Sequence, residues 1–216
     1  MGKIIQIKPD RIRASQIHQV SGVIKGGGVI LYPTDTIYGL GCAAFDIHAV
    51  RRIFELKKRS LKNPALVLVR NFTMMKKLVD GIPPQALELI RRFWPGPLTL
   101  IFKARKNFNP LLVSEENKIG IRIPDNRFCL KLMGDCKLPI VSTSANISGK
   151  EGNARIGVLK EIFINKVDLI IDAGDIKKLV PSTVIDISDG KIGLVREGVI
   201  PLKKILGHAK DYMEEI

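Results

Sequence analysis

The stretch Gly26-Gly27-Gly28-Val29-Ile30-Leu31-Tyr32-Pro33-Thr34-Asp35-Thr36-Ile37-Tyr38-Gly39-Leu40-Gly41 decides the class of fold. Its apolar run reads as a buried strand over Gly28–Tyr32, and the hydroxyls and aromatics after Pro33 read as a loop. Upstream, Arg13–Lys25 has the helix period. Downstream, Ile47–Lys58 has it too, with Asp46 as N-cap and Val50, Ile53, Phe54 and Lys57 along one face. The alternation continues to the end of the chain. Further strands are expected at Ile4–Ile7, Ala65–Val69, Leu98–Ala104, Ile119–Ile123, Pro139–Thr143, Leu169–Asp172, Thr183–Ile187 and Ile192–Arg196. Further helices are expected at Thr73–Val79, Pro84–Phe93, Arg127–Met133, Ile156–Ile164 and Leu202–Met213. This pattern predicts an α/β domain around a largely buried sheet, partly antiparallel because the last strands follow one another without helices between them. No repeat or linker divides the chain, so one domain is expected over 1–201, with a helical tail over 202–216.

The chain has 216 residues, 45% of them hydrophobic and 26% charged, which excludes disordered and collagen-like classes. No apolar run approaches the ~20 residues of a membrane span. The N-terminus reaches Lys8 and Pro9 before a signal-peptide core can form, which reads as a cytoplasmic protein. Cys42, Cys129 and Cys136 form no C-x-x-C pair, which excludes a disulfide framework and a cysteine zinc site. Cys129 and Cys136, seven apart on a helix, read as small apolar core residues. The net charge of +14 is uneven: residues 1–70 carry +8, 71–140 carry +6, and 141–216 are neutral. The densest cluster is Arg51, Arg52, Lys57, Lys58, Arg59 and Lys62. Such a field attracts polyanions, a nucleotide triphosphate or RNA, or else is a solvated helix face.

Several segments could carry chemistry. Gly39-Leu40-Gly41-Cys42-Ala43-Ala44 matches G-x-G-x-x-A, but it lies six residues beyond the strand end and lacks an acidic residue ~20 positions on, so a dinucleotide fingerprint is disfavoured. Lys57 and Arg59 stand where a helix should unwind, so both could reach one anion, or could simply complement a helix C-terminus. Arg122 in Gly120-Ile121-Arg122-Ile123-Pro124 sits inside an apolar strand; it must face a polar cavity or be held in a salt bridge. Ser142-Thr143-Ser144-Ala145-Asn146-Ile147-Ser148-Gly149 places dense hydrogen-bonding capacity at a strand end. No G-x-S-x-G occurs and His18, His48 and His208 lie far from any motif, against a serine hydrolase. Arg196 ends a strand, where it could meet a phosphate. Without a Walker A sequence, a nucleotide would be held by scattered Lys, Arg, Ser and Asn side chains, with Mg2+ mainly on the phosphates.

In this order, Y-P-T-D-T-x-Y-G-L-G, K-x-R with N-P, W-P-G-P-L-T, G-I-R-I-P, S-T-S-A-N-x-S-G, S-T-V-I-D and R-E-G resemble the YrdC-like family, the threonylcarbamoyl-AMP synthases, from about Ser15 to Pro201. The resemblance implies a twisted mixed sheet with helices packed on it and a large basic cavity, in a short form without a further C-terminal domain. It implies a nucleotidyltransferase that makes threonylcarbamoyl-AMP from L-threonine, bicarbonate and ATP with release of pyrophosphate. The product would feed a tRNA threonylcarbamoyl-transferase complex acting on adenosine 37 of ANN-decoding tRNAs. By this resemblance Lys57, Arg59, Ser144 and Asn146 hold the ATP phosphates, Lys57 and Arg59 being the catalytic pair. Asn63 and Arg196 add nucleotide contacts. Thr34, Arg122 and Ser142 bind threonine, with Arg122 on its carboxylate, and no protein metal site is implied.

Three positions depart from the family pattern. Ser60 replaces a proline, Leu68 stands where longer members often place a histidine near threonine, and Lys118 stands where some have a threonine near the nucleotide. Two competing readings remain. One is a tRNA- or double-stranded-RNA-binding module without turnover, suggested by the charge but lacking a basic stripe interleaved with aromatics. The other is a relative that uses carbamoyl phosphate, whose domain normally sits in a much larger chain. Weak, sequence-blind tRNA binding would reduce to nonspecific charge.

Overall fold

The computed structural model describes residues 3–60, 62–146, 155–176 and 180–207. Leu61, the 147–149 part of the serine-rich segment and 208–216 of the expected tail lie outside the described residues. Within them the strands are β1 (Lys3–Gln6), β2 (Ile30–Tyr32), β3 (Gly39–Gly41), β4 (Leu66–Leu68), β5 (Leu98–Lys103), β6 (Lys118–Arg122), β7 (Ile140–Ser144), β8 (Leu169–Asp172), β9 (Thr183–Asp186) and β10 (Gly193–Arg196). The helices are α1 (Ala14–Lys25), α2 (Ile47–Lys57), α3 (Phe72–Lys76), α4 (Pro84–Phe93), α5 (Arg127–Cys136) and α6 (Ile156–Phe163). A further helix covers 202–207. No helix among the described residues is long and apolar enough to cross a membrane.

The strands form one ten-stranded sheet in the order β1-β8-β2-β3-β7-β4-β6-β5-β9-β10. It is mixed: β1–β8, β2–β8, β4–β6 and β5–β9 pair in parallel, and the other neighbours run antiparallel. The expected antiparallel ending is present as β9–β10. The strand that sequence reasoning missed is β3, which was expected to be loop. Its two glycines have little intrinsic strand preference, yet they pair with β2 on one side and β7 on the other. The same placement removes the dinucleotide reading, because the G-x-G lies in a strand and not at a helix N-terminus.

Strand alternation sorts side chains into two unequal faces. Leu31, Val67, Leu98, Leu100, Phe102, Ile119, Ile121, Val141, Ile170 and Ile185 point to one face and join a core with Ile53 and Phe54 of α2, Met75 of α3, Leu89 of α4 and Leu159 of α6. Among the described residues the opposite face is covered by helices only over part of its width. There Ile17, Val20 and Ile24 of α1 and Phe128, Leu132 and Met133 of α5 pack on Ile30, Tyr32, Leu68, Ile140, Leu169 and Ile171. Cys129 and Cys136 lie in this smaller core as free, buried thiols. Leu68 is buried there too, so this departure from the family pattern makes apolar core. Asp46 caps α2 as expected, accepting from His48 N at 3.0 Å and Ala49 N at 2.9 Å.

Gly41 is required by close approach. A Cβ there would lie 2.6 Å from Cε1 of Tyr32 and 2.8 Å from the carbonyl of Val141. Both neighbours are fixed by the sheet, so Gly41→Ala should lose about 1–3 kcal/mol as overpacking of a tight core does; chemical unfolding checks this, and an unchanged midpoint would contradict it.

Candidate active site

The part of the second face that α1 and α5 leave uncovered is the floor of a cavity of ≈ 980 Å³. Along β6 the residues Lys118, Gly120 and Arg122 share this face, which puts Lys118 and Arg122 about 13 Å apart at opposite ends. Gly120 keeps the middle open: a Cβ there would meet only Thr99, Leu66 and Ile101, at 3.5–3.9 Å. The lining includes Thr34, Arg59, Asn63, Arg122, Ser142, Ser144, Asn146 and Arg196. Every expected site residue except Lys57 therefore meets in one place, although they come from β6, β7, β10 and the loops after β2, α2 and β7.

At one end Arg122 is 3% exposed. It donates through Nη2 to Asp35 Oδ1 and through Nη1 to Thr36 Oγ1 at 3.3 Å, while its buried Nε finds no acceptor among the described residues. The two readings of this arginine are thus both true: it faces the cavity and it is held by a salt bridge. Asp35 also accepts from Asp125 N, and Thr34 Oγ1 accepts from the backbone N–H groups of Thr36 and Ile37. The 34–37 turn is thereby a fixed wall. Asp35 lies within a quoted motif, but its partner is far along the chain, and no local pattern identifies the pair.

Arg59 donates to the carbonyls of Asn63 at 2.6 Å and Pro64 at 3.1 Å. Arg196 donates to the carbonyl of Ser182, at 3.2 Å from Nε and 2.9 Å from Nη2. Among the described residues neither pairs with a carboxylate. Burial, and then the charge of Arg196, lowers the pKa of Arg59; burial, and then the charge of Arg122, lowers that of Arg196. Three guanidiniums close enough to disfavour one another create a site that an anion relieves. Lys118 at the far end is different, being paired with Asp186 at 2.8 Å. Thr99, Ser182 and Asp186 also line the cavity; sequence reasoning did not assign them.

Lys57, expected either to reach one anion together with Arg59 or to complement a helix C-terminus, lies outside the cavity lining. Helix α2 ends at Lys57, and Lys58 takes a left-handed backbone with φ 51. That turn sends Lys57 inward and Arg59 to the cavity. Lys57 is 1% exposed and donates to the carbonyls of Ser144 and Asn146 and to Asn146 Oδ1, the last two at 2.6 and 2.8 Å. The basic cluster is likewise dispersed, since Arg52 pairs with Asp168 at 2.6 Å. No group of three His, Cys, Asp or Glu side chains that could hold a metal occurs among the described residues.

The comparisons with known proteins agree with this architecture. The sequence model of the Sua5/YciO/YrdC family, described as "Telomere recombination", matches residues 22–198. The chain belongs to this family. It is 37% identical over 202 residues to the threonylcarbamoyl-AMP synthase of Pyrococcus abyssi, covering 94% of this chain and 59% of that protein. The P. abyssi Sua5 structure complexed with L-threonine superposes with a TM-score of 0.90 at 36% identity, over 95% of this chain and 60% of that one. Escherichia coli YciO superposes with a TM-score of 0.86 at 32% identity, over 95% of this chain and 100% of that one. The chain thus spans somewhat over half the length of the P. abyssi relative and the whole of YciO.

Two outcomes follow from the site. Asp35→Ala leaves a buried guanidinium without its counter-charge and should cost about 3–5 kcal/mol, whereas the double change with Arg122→Met should recover much of this; denaturant titration of the three proteins decides it. Burial, and next the charge of Arg59, lowers the pKa of Lys57 to about 8. An NMR titration of its side chain should show that midpoint in place of the ~10.4 of a free lysine. From that midpoint up to the free value the unfolded chain holds the proton that the folded chain has lost. The contribution of this group to stability therefore rises with pH through that window.

Proposed function

We propose that this chain is a nucleotidyltransferase that makes L-threonylcarbamoyl-AMP from L-threonine, bicarbonate and ATP, releasing pyrophosphate. The observation that carries the reading is the pair Arg59 and Arg196, two guanidiniums that face one large cavity and have no carboxylate partner among the described residues. The 37% identity to the P. abyssi synthase supports the choice of reaction. A cavity of ≈ 980 Å³ is at the upper end of the ~300–1,000 Å³ of small-molecule pockets and has room for an amino acid beside a nucleotide.

In this reading L-threonine lies at the Arg122 end, its carboxylate on the guanidinium and the Thr34 and Ser142 hydroxyls around it. Asp35 keeps Arg122 in place. The ATP phosphates lie on Arg59, Arg196, Ser144 and Asn146, with Asn63 alongside and the nucleoside directed along β6 toward Lys118. Mg2+ arrives on the phosphates. The threonine nitrogen forms a bond to the bicarbonate carbon, and water leaves with the amine proton. A carboxylate oxygen of the resulting N-carboxythreonine then attacks the α-phosphorus, and the bond to pyrophosphate breaks.

No covalent nucleophile is needed. Holding reactants in line supplies ~7–11 kcal/mol of the barrier, and the fixed cations stabilise the charge that develops on pyrophosphate. The product is an activated carbamoyl donor, suited to a transferase complex that modifies tRNA in the cytoplasm.

Pyrophosphate release should require both L-threonine and bicarbonate and be accompanied by threonylcarbamoyl-AMP in the mass spectrum; release independent of threonine would defeat the reading. Arg196→Ala removes a charge-assisted contact of about 1.5–3 kcal/mol and should raise the KM for ATP about 10- to 100-fold, leaving that for threonine near its original value.

A further inference from the structure

We propose that Lys57 is a positioning residue: it acts from behind the cavity wall, holding Ser144 and Asn146 in the arrangement that meets the ATP phosphates, and does not itself ligate a phosphate. The inference rests on the ATP-binding reading above and assigns Lys57 a different task within it.

An ammonium has three hydrogens to donate and cannot accept. Here three oxygens meet it at short range, the carbonyls of Ser144 and Asn146 and Oδ1 of Asn146. Its donor capacity is filled by the protein, and at 1% exposure it does not reach the cavity. A phosphate contact would require it to abandon one of these acceptors.

The demand also runs the other way. The turn from Ser144 to Asn146 brings two carbonyl oxygens and an amide oxygen to one buried point, where they repel one another unless a cation sits between them. Ser144 Oγ donates to the same Asn146 Oδ1 at 2.5 Å. Lys57 thus bears on which way the Asn146 amide is turned, and on the Ser144 hydroxyl both through that amide and directly, from Nζ at 3.5 Å. Both side chains line the cavity. Above this turn Ala145 N donates to the carbonyl of Tyr38 at 2.9 Å, which ties it to the sheet, and Lys57 holds it from below.

A double-mutant cycle separates the two roles. Lys57→Met and Asn146→Ala should each weaken ATP binding roughly tenfold by calorimetry. The double variant should be little worse than either single one, and L-threonine affinity should stay within about twofold of the original, which a general loss of structure would not allow. Losses that multiply to roughly a hundredfold, and multiply again when Lys57→Met is added to the pair Ser144→Ala and Asn146→Ala, would overturn the proposal, because Lys57 would then act on phosphate independently of both side chains it holds.

If Lys57→Met does not fold, the wild-type protein crystallised with a non-hydrolysable ATP analogue answers instead. Nζ should remain on the two carbonyls, more than about 4 Å from every phosphate oxygen, and a direct Nζ–phosphate hydrogen bond would refute the role. Wild-type protein that binds no ATP would remove the proposed function and this inference together, whereas binding with multiplicative losses removes the inference alone.

Discussion

Everything in this molecule depends on a ten-stranded sheet whose two faces are covered unequally. One face receives α2, α3, α4 and α6 and is apolar across its width. The other receives, among the described residues, only α1 and α5, whose cover runs from β1 as far as Leu68 of β4. Period-two alternation obliges each strand to commit every second residue to each face. The end of β7 and the strands β6, β5 and β9 therefore carry a row of side chains that meet no helix among the described residues. Those positions are where the polar residues stand: Thr99 on β5, Lys118 and Arg122 on β6, Ser142 and Ser144 on β7, Asp186 on β9. The buried face of the same strands supplies the rigidity that holds them.

That arrangement explains how charges can be kept so deep. Arg122 is tolerable because Asp35 and Thr36 meet it from a turn that its own hydroxyl network stiffens. Lys57 is tolerable because a strand end curls three oxygens around it. Among the described residues Arg59 and Arg196 have only carbonyl and hydroxyl partners, which orient them without neutralising them. The site is thus graded, from compensated charge at the Arg122–Asp35 end to uncompensated charge at its centre, and back to the Lys118–Asp186 pair at the far end.

The fold was legible where local composition and tertiary demand agree. Pro84–Phe93 and Leu169–Asp172 form the elements that their periodicity and β-branched run indicate. Strand β3 was illegible because one of its two partners, β7, is remote in sequence, and because Gly41 is required by the approach of the Tyr32 ring, not by strand preference. The membership of the site was legible as a set of polar residues at strand ends. Its internal geometry was not. Nothing local shows that Lys58 adopts the left-handed turn, a conformation uncommon for residues other than glycine, and so nothing shows that Lys57 and Arg59 part company. Asp35 and Arg122 are joined by long-range folding alone.

The absence of carboxylates on Arg59 and Arg196 among the described residues has a consequence for turnover. Guanidiniums that attract a triphosphate attract a diphosphate through the same geometry. In the proposed reaction, severing the α–β bond leaves pyrophosphate on the cations that drew ATP in. Chemistry alone does not empty the cavity. The rate at which the enzyme lets go is then set by how strongly it captures, and inorganic phosphate or sulfate in the surrounding solution becomes a competitor for the resting protein as well as for the product.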